Sequence, residues 1–218
     1  MNKEFLAYLT SLVSESKQQR MQDILSYRTD HITVVLEDLF QEHNISATMR
    51  SAEIFGVQNV HIVEQKNHYG INASISRGAS QWLTIHRHKT TIDAIRTLKA
   101  EGYSIVATVP DTQAQTLESL DINNKIAFIF GTEYAGISQE ALLSADAHLT
   151  IPMFGFTNSF NVSVTAALCL HTIINRLHNS SVSWQLTTAQ REGLFFEWIS
   201  KSVTHFESHK DYFFNQKK

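Results

Sequence analysis

The chain is poor in the residues that would mark a stapled, fibrous or membrane protein. It has one cysteine, Cys169, among 218 residues, which excludes a disulfide framework and any zinc site built on cysteine pairs. Proline occurs twice, at Pro110 and Pro152, and glycine eight times, so collagen-like and linker-like compositions are excluded. No run of about 18 apolar residues is present, so no membrane-spanning helix is expected. The first twenty residues, MNKEFLAYLTSLVSESKQQR, lack the apolar stretch and small-residue cleavage site of a secretory signal. A reducing, cytoplasmic compartment is the resulting expectation. Charge of one sign is also missing: 18 basic and 21 acidic residues leave a net charge of −3, with no basic tail or arm. What is present is a hydrophobic content of 43%, enough for a proper core and too much for disorder. The length suits one ordinary domain with appendages.

The pattern along the chain divides into three. Residues 1–28 read as a helical extension, with Phe5, Leu9, Leu12 and Val13 at helical spacing. Residues 179–218 read as a second helical extension, whose apolar stripe from about Thr188 to Ser208 is Leu194, Trp198, Ile199, Val203 and Phe206. Between them, residues 29–178 alternate. Strands are expected at Ile32–Leu36, Val60–Val63, Tyr103–Val109, Ile126–Phe130 and His148–Ile151. Helices are expected at Asn44–Phe55, Thr91–Ala100, Ser138–Ser144 and Asn161–Leu177. Strand–helix alternation implies parallel pairing with right-handed crossovers, hence an α/β sheet. The stretch Val162–Leu170 is apolar nearly all round, whereas a helix on a sheet needs one apolar face. A second covering surface is implied, either the terminal helices or another subunit.

Three segments carry polar residues that folding alone does not require. In His43-Asn44-Ile45-Ser46-Ala47-Thr48-Met49-Arg50, Asn44 is placed to cap a helix. Arg50 lies about 140° around the helix from Ile45 and so faces away from the core. It is either a solvated arginine or a guanidinium aimed at phosphate. The second segment is the apolar strand Ile126–Phe130 followed by Gly131-Thr132-Glu133-Tyr134-Ala135-Gly136-Ile137, with Ser138 as the next helix cap. Ligands of open α/β sheets bind at such strand ends, and Gly131 would permit close approach to the backbone. The third segment is Ile151-Pro152-Met153-Phe154-Gly155-Phe156-Thr157-Asn158-Ser159-Phe160-Asn161. Its three phenylalanines in a loop suit either tight packing or the wrapping of a ligand. Asn161 is a helix cap, with Ser159 near it.

Together and in this order, the segments resemble the motifs of the TrmH/SpoU family of RNA ribose 2′-O-methyltransferases, in the SPOUT superfamily. Asn44…Arg50 resembles the first motif and Phe130-Gly131-Thr132-Glu133-x-x-Gly136 the second. Ile151-Pro152-Met153…Ser159-Phe160-Asn161-Val162-Ser163-Val164 resembles the third. Arg20…Arg28-x-x-x-Ile32-Thr33-Val34 and the helical extensions at both termini resemble the branch acting on tRNA guanosine. The resemblance implies a mostly parallel α/β sheet with a C-terminal deep trefoil knot, and a homodimer whose active site is shared between subunits. It implies methyl transfer from S-adenosylmethionine, without a metal, to a ribose 2′-hydroxyl, foremost that of the D-loop guanosine at position 18 of tRNA. Ribosomal RNA as substrate, or a silent homologue that only binds RNA or cofactor, are the alternatives. By position, Thr108, Gly131, Ile151, Met153 and Phe160 would contact the cofactor. Arg50 would hold phosphate and stabilise the developing alkoxide. Asn44 and Asn161 would position Arg50 and the ribose, and Ser159 and Glu133 would fix the loops. Arg20, Arg50 and Arg176 would bind RNA.

The sequence departs from the family on the RNA side. Asn175 and Leu177 stand where tRNA-specific members carry arginines, leaving Arg176 between them, and Gln41-Glu42 replaces a Lys-Pro. RNA affinity rests on phosphate neutralisation, so a dimer would have to gather Arg20, Arg28, Arg50, Arg77, Arg87, Lys89 and Arg176 on one face. His86 and His88 would share a face of a strand, but no third residue has metal-ligand spacing. Cys169, inside the apolar helix, reads as core rather than nucleophile.

Overall fold

The computed structural model describes residues 2–65, 78–111, 113–132 and 134–215. Glu133 and Arg77, two of the residues singled out above, lie outside the described residues. The chain forms two compact units, Thr29–Trp184 and the combination of Met1–Arg28 with Gln185–Lys218.

Thr29–Trp184 is built on six parallel strands. They are β1 Ile32–Glu37, β2 Asn59–Val63, β3 Thr84–His88, β4 Tyr103–Thr108, β5 Lys125–Phe130 and β6 Ala147–Leu149, in the order β3-β2-β1-β5-β4-β6. Growth of the sheet reverses at β1, where β5 enters between β1 and β4 with Leu36 opposite Phe130. Side chains alternate across the sheet. Ile32, Val34 and Leu36 of β1 and Ile126, Phe128 and Phe130 of β5 share one core with α3 (Glu42–Ile54) and α6 (Val162–His178). Val35, Ala127 and Ile129 point to the other face, against α4 (Thr91–Ala100) and α5 (Gln139–Ser144). A parallel sheet covered on both faces explains why β1 and β5 are apolar throughout.

The unit of the two termini has α1 (Lys3–Ser11) and α2 (Glu15–Ser26) from one end and α7 (Thr188–Ser202) and α8 (Phe206–Asn215) from the other. Two expected helices are thus each divided. The first breaks at Leu12–Ser14, and Asn2 caps its start. The second breaks at Val203–His205: Val203 turns extended at a ψ of 119° and ends α7, and His205, at a φ of +56°, leads into α8. Phe5 packs among Tyr8, Phe196, Phe206, Phe213 and Phe214. Arg28 corrects its expected role on an RNA-facing surface. It is fully buried, with its guanidinium 5.3 Å from the ring centre of Trp198. A stacked, desolvated arginine is part of the core of this unit.

Strand β3 was not among the expected strands, although the shared face of His86 and His88 is observed. Between them stacks His61 of β2, its ring centre 4.5 Å from that of His86 and 5.1 Å from that of His88. His61 Nδ1 and His88 Nε2 share a hydrogen bond of 2.9 Å, and His86 Nε2 bonds Asn59 Oδ1 at 3.1 Å. Burial, then the neighbouring His86 and His88, push the His61 imidazole down to about 3. Unfolded histidine titrates near 6.5, so the unfolded chain takes up a proton that the folded chain refuses. Stability is therefore full above about pH 6.5 and falls as pH drops toward 3. Urea unfolding between pH 7 and 4.5 should show that decline, and His61→Phe should flatten it. An unchanged slope would assign the acid sensitivity elsewhere.

Candidate active site

Parallel strands deliver all their carboxyl ends to one edge of the sheet. At that edge, beyond β4, β5 and β6, lies a cleft of about 780 Å³. Thr108, Gly131, Ile151, Met153 and Phe160 all line it, as do Ser159 and Asn161. All of these except Thr108 lie in the two turns that sequence motifs had marked as special, 131–137 and 151–161. Among the described residues the lining carries no charged side chain. It is apolar at Ile137, Leu142, Leu149, Ile151 and Met153, with hydroxyl and amide groups between. A cleft of this size and mixed character suits a small amphipathic ligand.

Each wall is held locally. Thr108 Oγ1 donates to the Ile129 carbonyl at 2.9 Å, tying the ends of β4 and β5. Val109 N donates to the Leu149 carbonyl at 2.8 Å, tying β4 to β6. The turn after β5 closes on itself: Thr132 N donates to Gly136 O at 2.9 Å, and Gly136 N donates to Thr132 O at 3.0 Å. Gly136 takes a φ of +68°, and a Cβ on Gly131 would lie 2.2 Å from the Gly136 carbonyl. Gly131 is therefore required by the turn's own backbone, which fills the space that a side chain would need.

Asn161 joins two of the motifs. Its Oδ1 accepts from Ser163 N at 2.9 Å and so caps α6, while its Nδ2 donates to Asn44 Oδ1 at 3.1 Å. Asn44 is not the cap of α3. The helix begins at Glu42 after an extended Gln41, and Asn44 sits inside its first turn, fully buried. Its Nδ2 donates to Gln41 Oε1 at 3.1 Å, and Gln41 itself lines the cleft. The cap was misplaced because Asn44 spends its amide on Gln41 and on Asn161, 117 residues away.

Arg50 and Arg176 are not among the residues that line this cleft. Arg50 is half-buried, outside the lining, and has no hydrogen bond or ion pair among the described residues. Arg176, half-buried at the end of α6, donates to the Leu117 carbonyl. Arg20 is exposed on α2, in the unit of the termini. Of the other basic residues named, Arg87 pairs with Glu64. Sequence reasoning missed Gln41 as a lining residue, and it missed Glu37, which accepts from Ser138 at the end of the 131–137 turn.

A sequence profile of the SpoU rRNA Methylase family matches residues 31–171, the stretch that holds both turns, Asn44 and Arg50. The chain belongs to this family. Its relatives include a tRNA (guanosine(18)-2′-O)-methyltransferase of Borreliella burgdorferi, 40% identical over 93% of each chain. The protein of that name from Escherichia coli K12 is 32% identical over 85% of this chain and 82% of its own. The crystal structure of an Aquifex aeolicus TrmH/SpoU tRNA modifying enzyme superposes with a TM-score of 0.77 at 26% identity, covering 87% of this chain and 98% of that one. The SpoU methyltransferase AviRb of Streptomyces viridochromogenes, solved with S-adenosylmethionine, has the same fold at a TM-score of 0.63 and 20% identity, over 72% of this chain and 65% of its own.

The two turn glycines give a paired test. Gly131→Ala should destabilise by about 1–3 kcal/mol through overpacking and speed amide exchange at Thr132 and Gly136. Gly155→Ala, whose Cβ would meet nothing nearer than 4.0 Å, should be tolerated. Equal effects of the two on denaturant unfolding would show that the close approach at Gly131 is relaxed at no cost.

Proposed function

We propose that the chain transfers the methyl group of S-adenosylmethionine to the ribose 2′-hydroxyl of guanosine 18 in the D-loop of tRNA. The supporting observation is that Asn161 bonds Asn44 at the cleft edged by the 131–137 turn, so three motif segments meet. They do so in a chain 40% identical along 93% of its length to a methyltransferase of that name. The cleft fits the cofactor's chemistry: apolar walls for an adenine, and hydroxyl, amide and backbone groups for ribose and amino acid. When bound, the cofactor supplies a methyl group on a sulfonium, a leaving group that needs little assistance.

The protein's task is the other reactant. A ribose hydroxyl is a poor nucleophile, so alignment and removal of its proton lower the barrier. Asn161 orients the ribose from the cleft wall with Asn44 holding it from behind, and Ser159 and Glu133 hold the loops. Thr108, Gly131, Ile151, Met153 and Phe160 hold the cofactor. Arg50 grips the target phosphate and stabilises charge developing on the 2′-oxygen. A guanidinium stays protonated in proteins, so the proton passes to that phosphate or to water. Arg20 and Arg176 add phosphate contacts.

Arg50 stands off the cleft of its own chain, and Phe154, Phe156, Val164 and Leu168 are exposed around the start of α6. Both features support a homodimer in which the face of α6 is covered and Arg50 serves the partner's cleft. The C-terminal part of the sheet unit is proposed to form the deep trefoil knot of the superfamily, and the protein to work in the cytoplasm, where its substrate is.

Labelled methyl transfer to unmodified tRNA and to ribosomal RNA, with the modified ribose mapped, tests this reading. Label should appear at guanosine 18. Arg50→Ala should lower transfer by about 100-fold or more, as expected for loss of an oxyanion-stabilising donor, while cofactor affinity is kept. Label confined to ribosomal RNA would overturn the substrate. A monomer in sedimentation at micromolar concentration would overturn the shared site.

A further inference from the structure

We propose that Glu37 is a positioning residue of the cleft: from the end of β1, its carboxylate holds the 131–138 turn in the shape that binds S-adenosylmethionine. Glu37 is 3% exposed. Its Oε1 accepts from the hydroxyls of Thr91 and Ser138, each at 2.6 Å, and its Oε2 accepts from Ser138 N at 2.9 Å. All three donors are neutral. Thr91 opens α4 and Ser138 caps α5, so one side chain joins the end of β1 to the starts of two helices.

The location gives those bonds their meaning. Leu36 lies opposite Phe130, which sets Glu37 beside the point where β5 ends and the turn begins. The turn is pinned in three places. Its start leaves the sheet at Gly131, and its middle is closed by the Thr132–Gly136 pair. Its far end is held by Ser138 on Glu37. Gly131, Gly136 and Ile137, between those pins, line the cleft. Glu37 itself does not line it, so it acts through the turn.

A buried carboxylate is an expensive way to fill a core position, and apolar replacements of buried charges are often neutral or stabilising. Directional, charge-assisted bonds are what a carboxylate offers in return. Here two of the three are spent on one residue, at the end of the turn that borders the ligand space. Glu37→Gln has nearly the same shape but removes the charge: either the Ser138 N–H loses its acceptor or the two hydroxyls must turn round to accept from the amide, and every bond that remains is a neutral one. Thr91→Val removes the bond that leads to α4 and leaves the bonds to the turn.

The inference rests on the cofactor reading above, and its test separates the two. Binding of S-adenosylmethionine is measured by calorimetry on the full chain, and amide exchange at Thr132, Gly136 and Ser138 by NMR without ligand. Glu37→Gln should raise the cofactor Kd about 10-fold or more, the loss of a charge-assisted hydrogen bond, and speed exchange at the three amides. Thr91→Val should leave Kd within about two-fold, a neutral bond lost away from the turn, even where its Tm falls. Ser138→Ala should move Kd in the same direction as Glu37→Gln and carries the test if that variant does not fold. An unchanged Kd in Glu37→Gln, or an equal rise in Thr91→Val, would overturn the proposal. If the wild-type protein binds no S-adenosylmethionine, the cofactor reading falls. Faster exchange of the turn in Glu37→Gln alone would then still support the positioning role, and unchanged exchange would overturn it.

Discussion

All six strands run in one direction, and the rest of the structure follows from that. A parallel ladder needs a crossover for each step and cover on both faces. The chain meets the second demand by committing α3 and α6 to one face and α4 and α5 to the other. The first demand sends every strand-to-helix turn to the same edge. Because β5 enters between β1 and β4, the turns after β1, β4 and β5 become neighbours at that edge, though they are far apart in sequence. Ligand crevices of open α/β sheets arise where growth of the sheet reverses, and here the reversal at β1 lies beside the cleft.

The edge is then specified by a few polar bonds between turns. Asn161 shows how much one side chain can carry. Its oxygen caps α6 and its nitrogen reaches Asn44. Loss of a cap costs about 1 kcal/mol. The tie to α3 is the part that no helix needs. The same holds for Glu37: α4 and α5 could start on a water or a short side chain, but only a carboxylate reaching from β1 fixes both starts and the turn between.

Most of the fold was legible because burial on two faces writes itself as unbroken apolar runs, as in Ile126–Phe130. Strand β3 was not legible, because Thr84–His88 is an edge strand with partly exposed His86, Arg87 and His88, and its polar residues mask the period. The break between α7 and α8 was hidden for a different reason. The apolar stripe continues through Val203 and Phe206, while the stop is an extended Val203 followed by His205 at a positive φ, and neither residue type announces it. Arg28 was read as a surface cation because sequence shows charge and not the Trp198 ring that covers it. At the site, the order of the motifs revealed which segments belong together. The bond from Asn161 to Asn44 spans 117 residues, and no local pattern carries that information.

On the proposed reading, the position of Arg50 ties the mechanism to assembly. It lies six residues after Asn44, about 9 Å along the axis of α3 at the rise of an α-helix, and turned away from the side where Asn44 meets Asn161. A single chain thus holds an organised cleft whose only expected phosphate ligand near the chemistry points elsewhere. The same chain leaves Phe154 and Phe156 fully exposed and Val164 and Leu168 partly so, on either side of Asn161. Scattered apolar exposure is ordinary, but a run of it beside a cleft marks a surface that something covers. On the proposed reading that occupant is a second copy, since covering α6 with an identical surface also brings an identical α3. On the proposed reading, the guanidinium that grips the phosphate arrives only when the apolar face is buried, so the energy of assembly and the completion of the site are the same event.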